Sequence, residues 1–305
     1  MVCDDGRPGH THQAVALAQA LFPDLHVAIP LCSFALRQPW KALAPRLTAG
    51  ASAAVRLQVR GQIQPATVWI GAGRRSALVG RWARRAHDIR YIQILNPRVA
   101  PDHFDCVVAP EHDALRGANV VPVFGALTQV NTHALEQWRS EFAALSRLGG
   151  PRGVLLIGAP TARCSWDVSI LDQLLDTLRD SGCESLLISA SRRTPERALQ
   201  WLRRQKDAAL IWPDTHNEAN PYRGLLAWGD AFAVTPDSVS MISEVLATGL
   251  PVVTSRSVAR GKIARFLSDG VDRGLLLDRL DLEHRHQPLN EAQRIVPLVR
   301  ERMDR

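Results

Sequence analysis

A chain of 305 residues, 46% hydrophobic and 22% charged, is too long for one comfortable core and suits two domains of about 150 residues each, which excludes global disorder. The formal net charge of +7 favours anionic partners such as phosphates, nucleotides or acidic lipid headgroups, although an Ala/Arg-rich chain from a GC-rich genome would carry the same charge. The cysteines (Cys3, Cys32, Cys106, Cys164 and Cys183) are odd in number, spread out and without a C-x-x-C pair, which excludes a disulfide framework or a zinc site and fits a reducing compartment. No run approaches the ~18 apolar residues that span a bilayer and no secretory signal opens the chain. A cytoplasmic protein is expected, at most bound to a membrane surface.

Short apolar runs alternate with helical patterns, the signature of βαβ units and parallel sheets. In the first half the predicted strands are 25–31, 67–70, 91–95, 105–109 and 119–123; in the second they are 153–157, 185–189, 208–212, 231–235 and 251–254. A helix over 134–145 leads to the linker Leu148-Gly149-Gly150-Pro151-Arg152, which sets the expected domains at 1–148 and 149–305, with the last helix a candidate to cross back. Only Met1-Val2-Cys3 precede the first polar loop. A strand there is shorter than the usual ~5 to 6 residues, which implies either a clipped strand or a start upstream. The fold class is α/β: two Rossmann-like parallel-sheet domains facing across a cleft.

Four motifs stand where strands meet helices. Asp4-Asp5-Gly6-Arg7-Pro8-Gly9-His10-Thr11-His12-Gln13 runs into a helix over 14–21. A glycine-bearing turn there exposes N–H groups to an anion, with Gly9 among them, and His10 or His12 is the candidate general base. The alternative is a tight loop whose Asp and His groups cap the helix and one another. Gly71-Ala72-Gly73-Arg74-Arg75-Ser76 opens another helix. It lacks the third glycine and the later acid of a dinucleotide fingerprint, so the glycines are expected to admit a substrate or the other domain, with Arg74 or Arg75 facing the cleft. Further on, Arg81, Arg84, Arg85 and Arg90 form a basic face, solvated or meeting phospholipid or another polyanion. Trp82 alone is no stacking platform, so nucleic acid is not expected.

In Ser189-Ala190-Ser191-Arg192-Arg193-Thr194-Pro195, hydroxyls and two guanidiniums meet a helix start capped by Thr194, which suits a phosphate or diphosphate at Ser191, Arg192 and Arg193. In the fourth motif, Thr235 to Glu244, Asp237 or Ser238 caps a helix that carries Ser240 and Glu244 on one face. There a carboxylate can accept from the two hydroxyls of a ribose, or pair with a neighbouring arginine. Asn220-Pro221-Tyr222 reads as a turn that is a candidate to line the cleft, and Glu111-His112-Asp113 as a polar loop, the alternative being that His112 or Asp113 reaches the cleft. No dense metal-ligand spacing occurs.

Together these motifs, with Asn96-Pro97-Arg98 and Val108-Ala109-Pro110-Glu111-His112-Asp113, resemble the mitochondrial fission ELM (elongated mitochondria) family over about residues 4–270. That family is distantly similar to GT-B nucleotide-sugar transferases, including those with lipid-linked murein and lipid A substrates. The resemblance implies a ribose-binding role for Glu244, with Ser238 and Ser240 nearby, and an acceptor-side role for the loop Gly6 to His10. It implies a nucleotide sugar as donor and no required cofactor or metal. Plant members resemble adaptors for a dynamin-like protein at the outer mitochondrial surface. Three functions follow as expectations: a glycosyltransferase, with a lipid-linked acceptor in view; a non-catalytic adaptor at a membrane surface or on a protein partner; and a nucleotide-sugar epimerase.

Overall fold

The computed structural model describes residues 1–23, 29, 31–46, 49–59, 68–87, 89–213 and 220–304. The first strand, β1 (Val2–Asp4), has three residues and leads into α1 (Pro8–Leu21). Pro8 occupies the first helical turn, where its fixed φ and missing N–H are no handicap. The helix therefore starts ahead of the expected 14–21 and takes Gly9, His10 and His12 out of the loop. Then follow β2 (Leu31–Leu36), α2 (Trp40–Leu43), α3 (Ala51–Ala54), β3 (Val55–Val59), β4 (Val68–Ala72), α4 (Gly73–Ala86), β5 (Arg90–Ile94), β6 (Cys106–Pro110) and β7 (Val120–Val123). Most of the expected strand 25–31 lies outside the described residues, and the described strand begins at Leu31.

These strands form one sheet in the order β3-β2-β1-β4-β5-β6-β7, parallel throughout except for β3, which runs antiparallel to β2 at the edge. Alternation along the strands sends side chains to opposite faces. Val2, Ile70, Ile92, Ile94 and Val108 pack with Leu17 of α1, and Cys3, Trp69, Tyr91 and Val107 pack with Ala77 and Ala83 of α4. The result is a sheet covered on both faces, as a parallel sheet requires.

The second sheet is built from α5 (Thr132–Glu141), β8 (Arg152–Ile157), α6 (Val168–Asp180), β9 (Ser185–Ala190), α7 (Glu196–Leu202), β10 (Leu210–Trp212), α8 (Tyr222–Trp228), β11 (Ala231–Val234), α9 (Val239–Leu246), β12 (Val252–Val253) and α10 (Lys262–Asp272). Its order is β10-β9-β8-β11-β12, all parallel. Every residue of β9 and β11 is buried. The chain then ends in α11 (Glu291–Arg294) and α12 (Val296–Met303).

Contacts divide the chain into unit 1, Met1–Gln129 with Asn290–Arg305, and unit 2, Val130–Leu289. The division expected at 148 differs because α5 packs on α8 of unit 2. Arg139 Nε donates to Ala227 O at 2.9 Å, and the Arg223 guanidinium lies 5.5 Å from the Trp138 ring. Asn290–Arg305 joins unit 1 through buried Glu291, which accepts from Phe124 N at 2.7 Å and from Arg294, while Ile295 and Val299 enter the core beside α1. Strand order reverses between β1 and β4 in unit 1 and between β8 and β11 in unit 2. Loops at the carboxyl ends of strands beside such a reversal are where open parallel sheets bind ligands.

Candidate functional site

At the reversal in unit 1, two aspartates organise the turn between β1 and α1. Asp4 Oδ1 accepts from Gly6 N at 2.8 Å and from the Thr11 hydroxyl at 2.7 Å. Asp5 Oδ1 accepts from Arg7 N at 3.2 Å, and its Oδ2 lies 3.0 Å from His10 Nδ1. The Asp5 side chain is 2% exposed and that of His10 is 18% exposed. The tautomer with its proton on Nδ1 donates to Asp5 and leaves Nε2 as an acceptor. Nε2 has no hydrogen-bond partner among the described residues. A partly exposed imidazole whose Nδ1 is held by a buried carboxylate is the arrangement of a general base and its orienting group.

The ring lies against the start of α4. A Cβ on Gly73, whose φ is +80°, would come within 2.4 Å of His10 Cε1. Gln93 Nε2 of β5 donates to Gly73 O at 3.3 Å from beneath. The residue after β5, Leu95, has a φ of 68°, an unusual backbone state for a branched side chain that marks this edge as conformationally constrained. His12, on the same helix, is exposed, and Gly9 spends its carbonyl on Gln13 Nε2 at 3.1 Å.

The glycines of the second motif serve the fold rather than admitting a ligand. A Cβ on Gly71 would lie 2.1 Å from Tyr91 Oη, which is bonded to Ser76 Oγ at 2.7 Å, and His10 fills the space at Gly73. Arg74 is likewise engaged, its Nη1 donating to Ala42 O and Ala44 O at 3.0 Å each. The basic face of α4 continues this pattern: Arg81 bonds Pro45 O, and Arg84 bonds His103 O and Asp105.

In unit 2, hydroxyls and one carboxylate tie together the loops after β8, β9 and β11. Thr235 Oγ1 accepts from Gly158 N at 2.8 Å, and the Thr194 hydroxyl donates to Gly158 O at 2.7 Å. Thr194 thus bridges strands instead of capping α7, whose N-cap is Pro195. Asp237 Oδ2 accepts from Ala159 N at 2.9 Å and Oδ1 from Trp166 Nε1 at 2.7 Å. Burial pushes the Asp237 carboxyl up against these stabilising bonds. Ser238, not Asp237, caps α9, accepting from Met241 N at 3.4 Å.

Around this frame Ser191 bonds Thr194 Oγ1 at 3.1 Å, and Arg192 and Arg193 are exposed, with no side-chain partner among the described residues. Ser240 stands partly exposed on the first turn of α9, and Glu244 follows one turn later. Glu244 Oε2 accepts a short hydrogen bond from the hydroxyl of half-buried Tyr222 at the start of α8. Desolvation raises the carboxyl from the ordinary 4.5 to about 7, with Tyr222 opposing the rise. No arginine pairs with Glu244 among the described residues. The pairing of Asp5 with His10 is the alternative that the loop's Asp and His groups offered, whereas the pairing of Tyr222 with Glu244 was not singled out by residue patterns. Tyr222 and Glu244 sit on different helices 22 positions apart, and no periodicity links them.

Among the described residues no group of three or more His, Cys, Asp or Glu side chains could hold a metal ion, and no helix is long and apolar enough to cross a membrane. Two Rossmann-like units of these strand orders define a GT-B-like fold. Solved structures share it: UDP-GlcNAc 2-epimerase from Neisseria meningitidis bound to UDP-GlcNAc matches with a TM-score of 0.52 at 14% identity, over 99% of this chain and 93% of that one. The Methanocaldococcus jannaschii UDP-GlcNAc 2-epimerase in complex with UDP-GlcNAc and UDP matches with a TM-score of 0.51 at 10% identity, over 98% and 99%. By sequence the chain belongs to the mitochondrial fission ELM1 family, whose model matches residues 8–303. Mitochondrial fission protein ELM1 of Arabidopsis thaliana is 31% identical over 271 residues, 76% of this chain but 62% of the plant protein's length.

Proposed function

We propose that the protein transfers a sugar from a nucleotide-sugar donor to a hydroxyl acceptor, with unit 2 taking the donor. The observation that carries this reading is Glu244. A glutamate kept for stability on α9 would pair with a cation, whereas desolvation raises this one to about 7 and among the described residues it meets only a phenol. A ligand bringing two adjacent hydroxyls, as a ribose does, supplies the donors that such a carboxylate lacks. Arg192 and Arg193, exposed after β9, neutralise the diphosphate, and Ser191, Ser238 and Ser240 add hydroxyls along the same sheet edge. Asp237 holds the loops in place. The uridine nucleotides bound by the two epimerases make UDP-sugars the first donors to test.

In the reaction His10 Nε2 takes the acceptor's hydroxyl proton while Asp5 stabilises the resulting imidazolium. The acceptor oxygen bonds to the anomeric carbon as the bond from that carbon to the diphosphate breaks, and the nucleoside diphosphate leaves. The test is nucleoside diphosphate release from a panel of nucleotide sugars with membrane-lipid and soluble acceptors. His10→Ala is expected to lower turnover by about 10²- to 10⁴-fold without changing donor affinity, and Glu244→Ala to weaken donor binding. Conversion of the sugar with no acceptor would point to an epimerase.

The 31% identity to a plant mitochondrial fission protein favours a second reading, a non-catalytic adaptor. It is the reading left if no nucleotide binds the folded protein.

A further inference from the structure

We propose that unit 1 docks on an anionic lipid bilayer through the segment 37–46 and the adjoining face of α4. Between Asp24 and Asp88 the sequence holds ten of the chain's 37 Lys and Arg and none of its 30 Asp and Glu, which leaves 27 cations against 30 acids elsewhere. The protein's net positive charge therefore resides in this one stretch, where codon bias would have spread it along the whole chain.

The fold brings described cations of this stretch together on one surface. Arg74 and Arg81 grip the segment by its backbone, bonding Ala42 O, Ala44 O and Pro45 O. Arg37, Lys41 and Arg46 are exposed beside Leu43, which at 52% is the most exposed large hydrophobic side chain among the described residues. Beside it, Arg81 also lines a hollow of about 460 Å³ with Arg84, Arg85, Arg90 and His103, set against Asp102 and Asp105. A hollow of that size and charge takes a lipid phosphate headgroup.

An apolar tip ringed by cations is matched to the interface of an anionic leaflet, where the side chain enters the acyl boundary and the charges meet headgroups. A free phosphate would gain nothing from Leu43. Nucleic acid would require stacking aromatics, and Trp40 is half-buried with its Nε1 bonded to Ala49 O. The inference is independent of nucleotide binding, so its failure would leave the transferase proposal standing.

The experiment is co-sedimentation of the full chain with vesicles of phosphatidylcholine alone or mixed with phosphatidylserine, at low and high salt. Binding is expected only to the mixed vesicles and is expected to weaken with salt. Each cation near an anionic leaflet contributes about fivefold in partitioning, so the triple change Arg37→Gln, Lys41→Gln, Arg46→Gln should reduce binding on the order of 100-fold. The same charge removed at exposed Arg116, Arg147 and Arg204 should change it little. Leu43→Gln should weaken binding while leaving its salt dependence intact, and tests the surface even if the triple variant misfolds. Equal losses from the two triple variants, equal binding to both vesicle types, or no binding to the mixed vesicles would overturn the proposal.

Discussion

Replacing Glu244 by Gln should make the protein more stable above neutral pH. The amide keeps an oxygen to accept from Tyr222 and removes the charge that burial penalises. The folded-state pKa is raised from 4.5 to about 7, so the folded protein holds this proton more tightly than the unfolded chain does. The group's favourable contribution is therefore fully present below pH 4.5 and is lost as pH rises through 7. Across that interval the charged carboxylate costs about 3 kcal/mol, at 1.36 kcal/mol per pH unit.

Glu244→Gln should thus match the wild type near pH 4.5 and exceed it by about 3 kcal/mol at pH 8. For a unit of this size that is a rise of roughly 6 to 12 °C in melting temperature. Urea titrations and thermal melts of both proteins at the two pH values supply the comparison, and donor affinity should fall in the same variant. A variant less stable than wild type at pH 8, or a difference that does not change with pH, would refute the argument that Glu244 is held at a cost for binding.

Two further substitutions test the frames around the sites. Asp237→Ala should destabilise the protein by about 2 to 4 kcal/mol in urea titration, because Ala159 N and Trp166 Nε1 lose their acceptor. Gly73→Ala should cost about 1 to 3 kcal/mol from its φ of +80° and from contact with His10. Combining it with His10→Ala should recover part of that loss, a non-additivity readable in a double-mutant cycle.

Much of the fold was legible because short apolar runs bounded by polar turns, such as those of β6, β8 and β11, have one reading in an α/β chain. The edge was not. β2, just inside the edge strand β3, alternates exposed with more buried positions instead of showing the continuous apolar run expected of an inner strand. The start of α1 was signalled by Pro8 but hidden by Gly6 and Gly9, which read as loop. The glycines at 71 and 73 looked like openings for a ligand, yet the groups that fill them, Tyr91 and His10, come from distant parts of the sequence.

The site was partly legible for the same reason. Residues local to one motif, such as Ser238 capping α9, could be read from spacing. So could the pairing of Asp5 with His10, five positions apart in one turn, whereas Tyr222 on Glu244 and Asp237 spanning to the loop after β8 depend on how the strands are ordered. So does the engagement of Arg74, whose carbonyl partners lie about thirty residues before it.

Calorimetric titration of UDP and UDP-sugars into the wild-type protein, across pH 5.5 to 8.5, tests the central claim most directly. A ligand whose hydroxyls bond the ionised carboxylate binds best above the carboxyl's pKa of about 7. The account therefore predicts an affinity that is constant above neutrality, falls toward tenfold per pH unit below it, and is lost in Glu244→Ala. Absence of binding by protein shown to be folded, or binding indifferent both to pH and to Glu244, would contradict it.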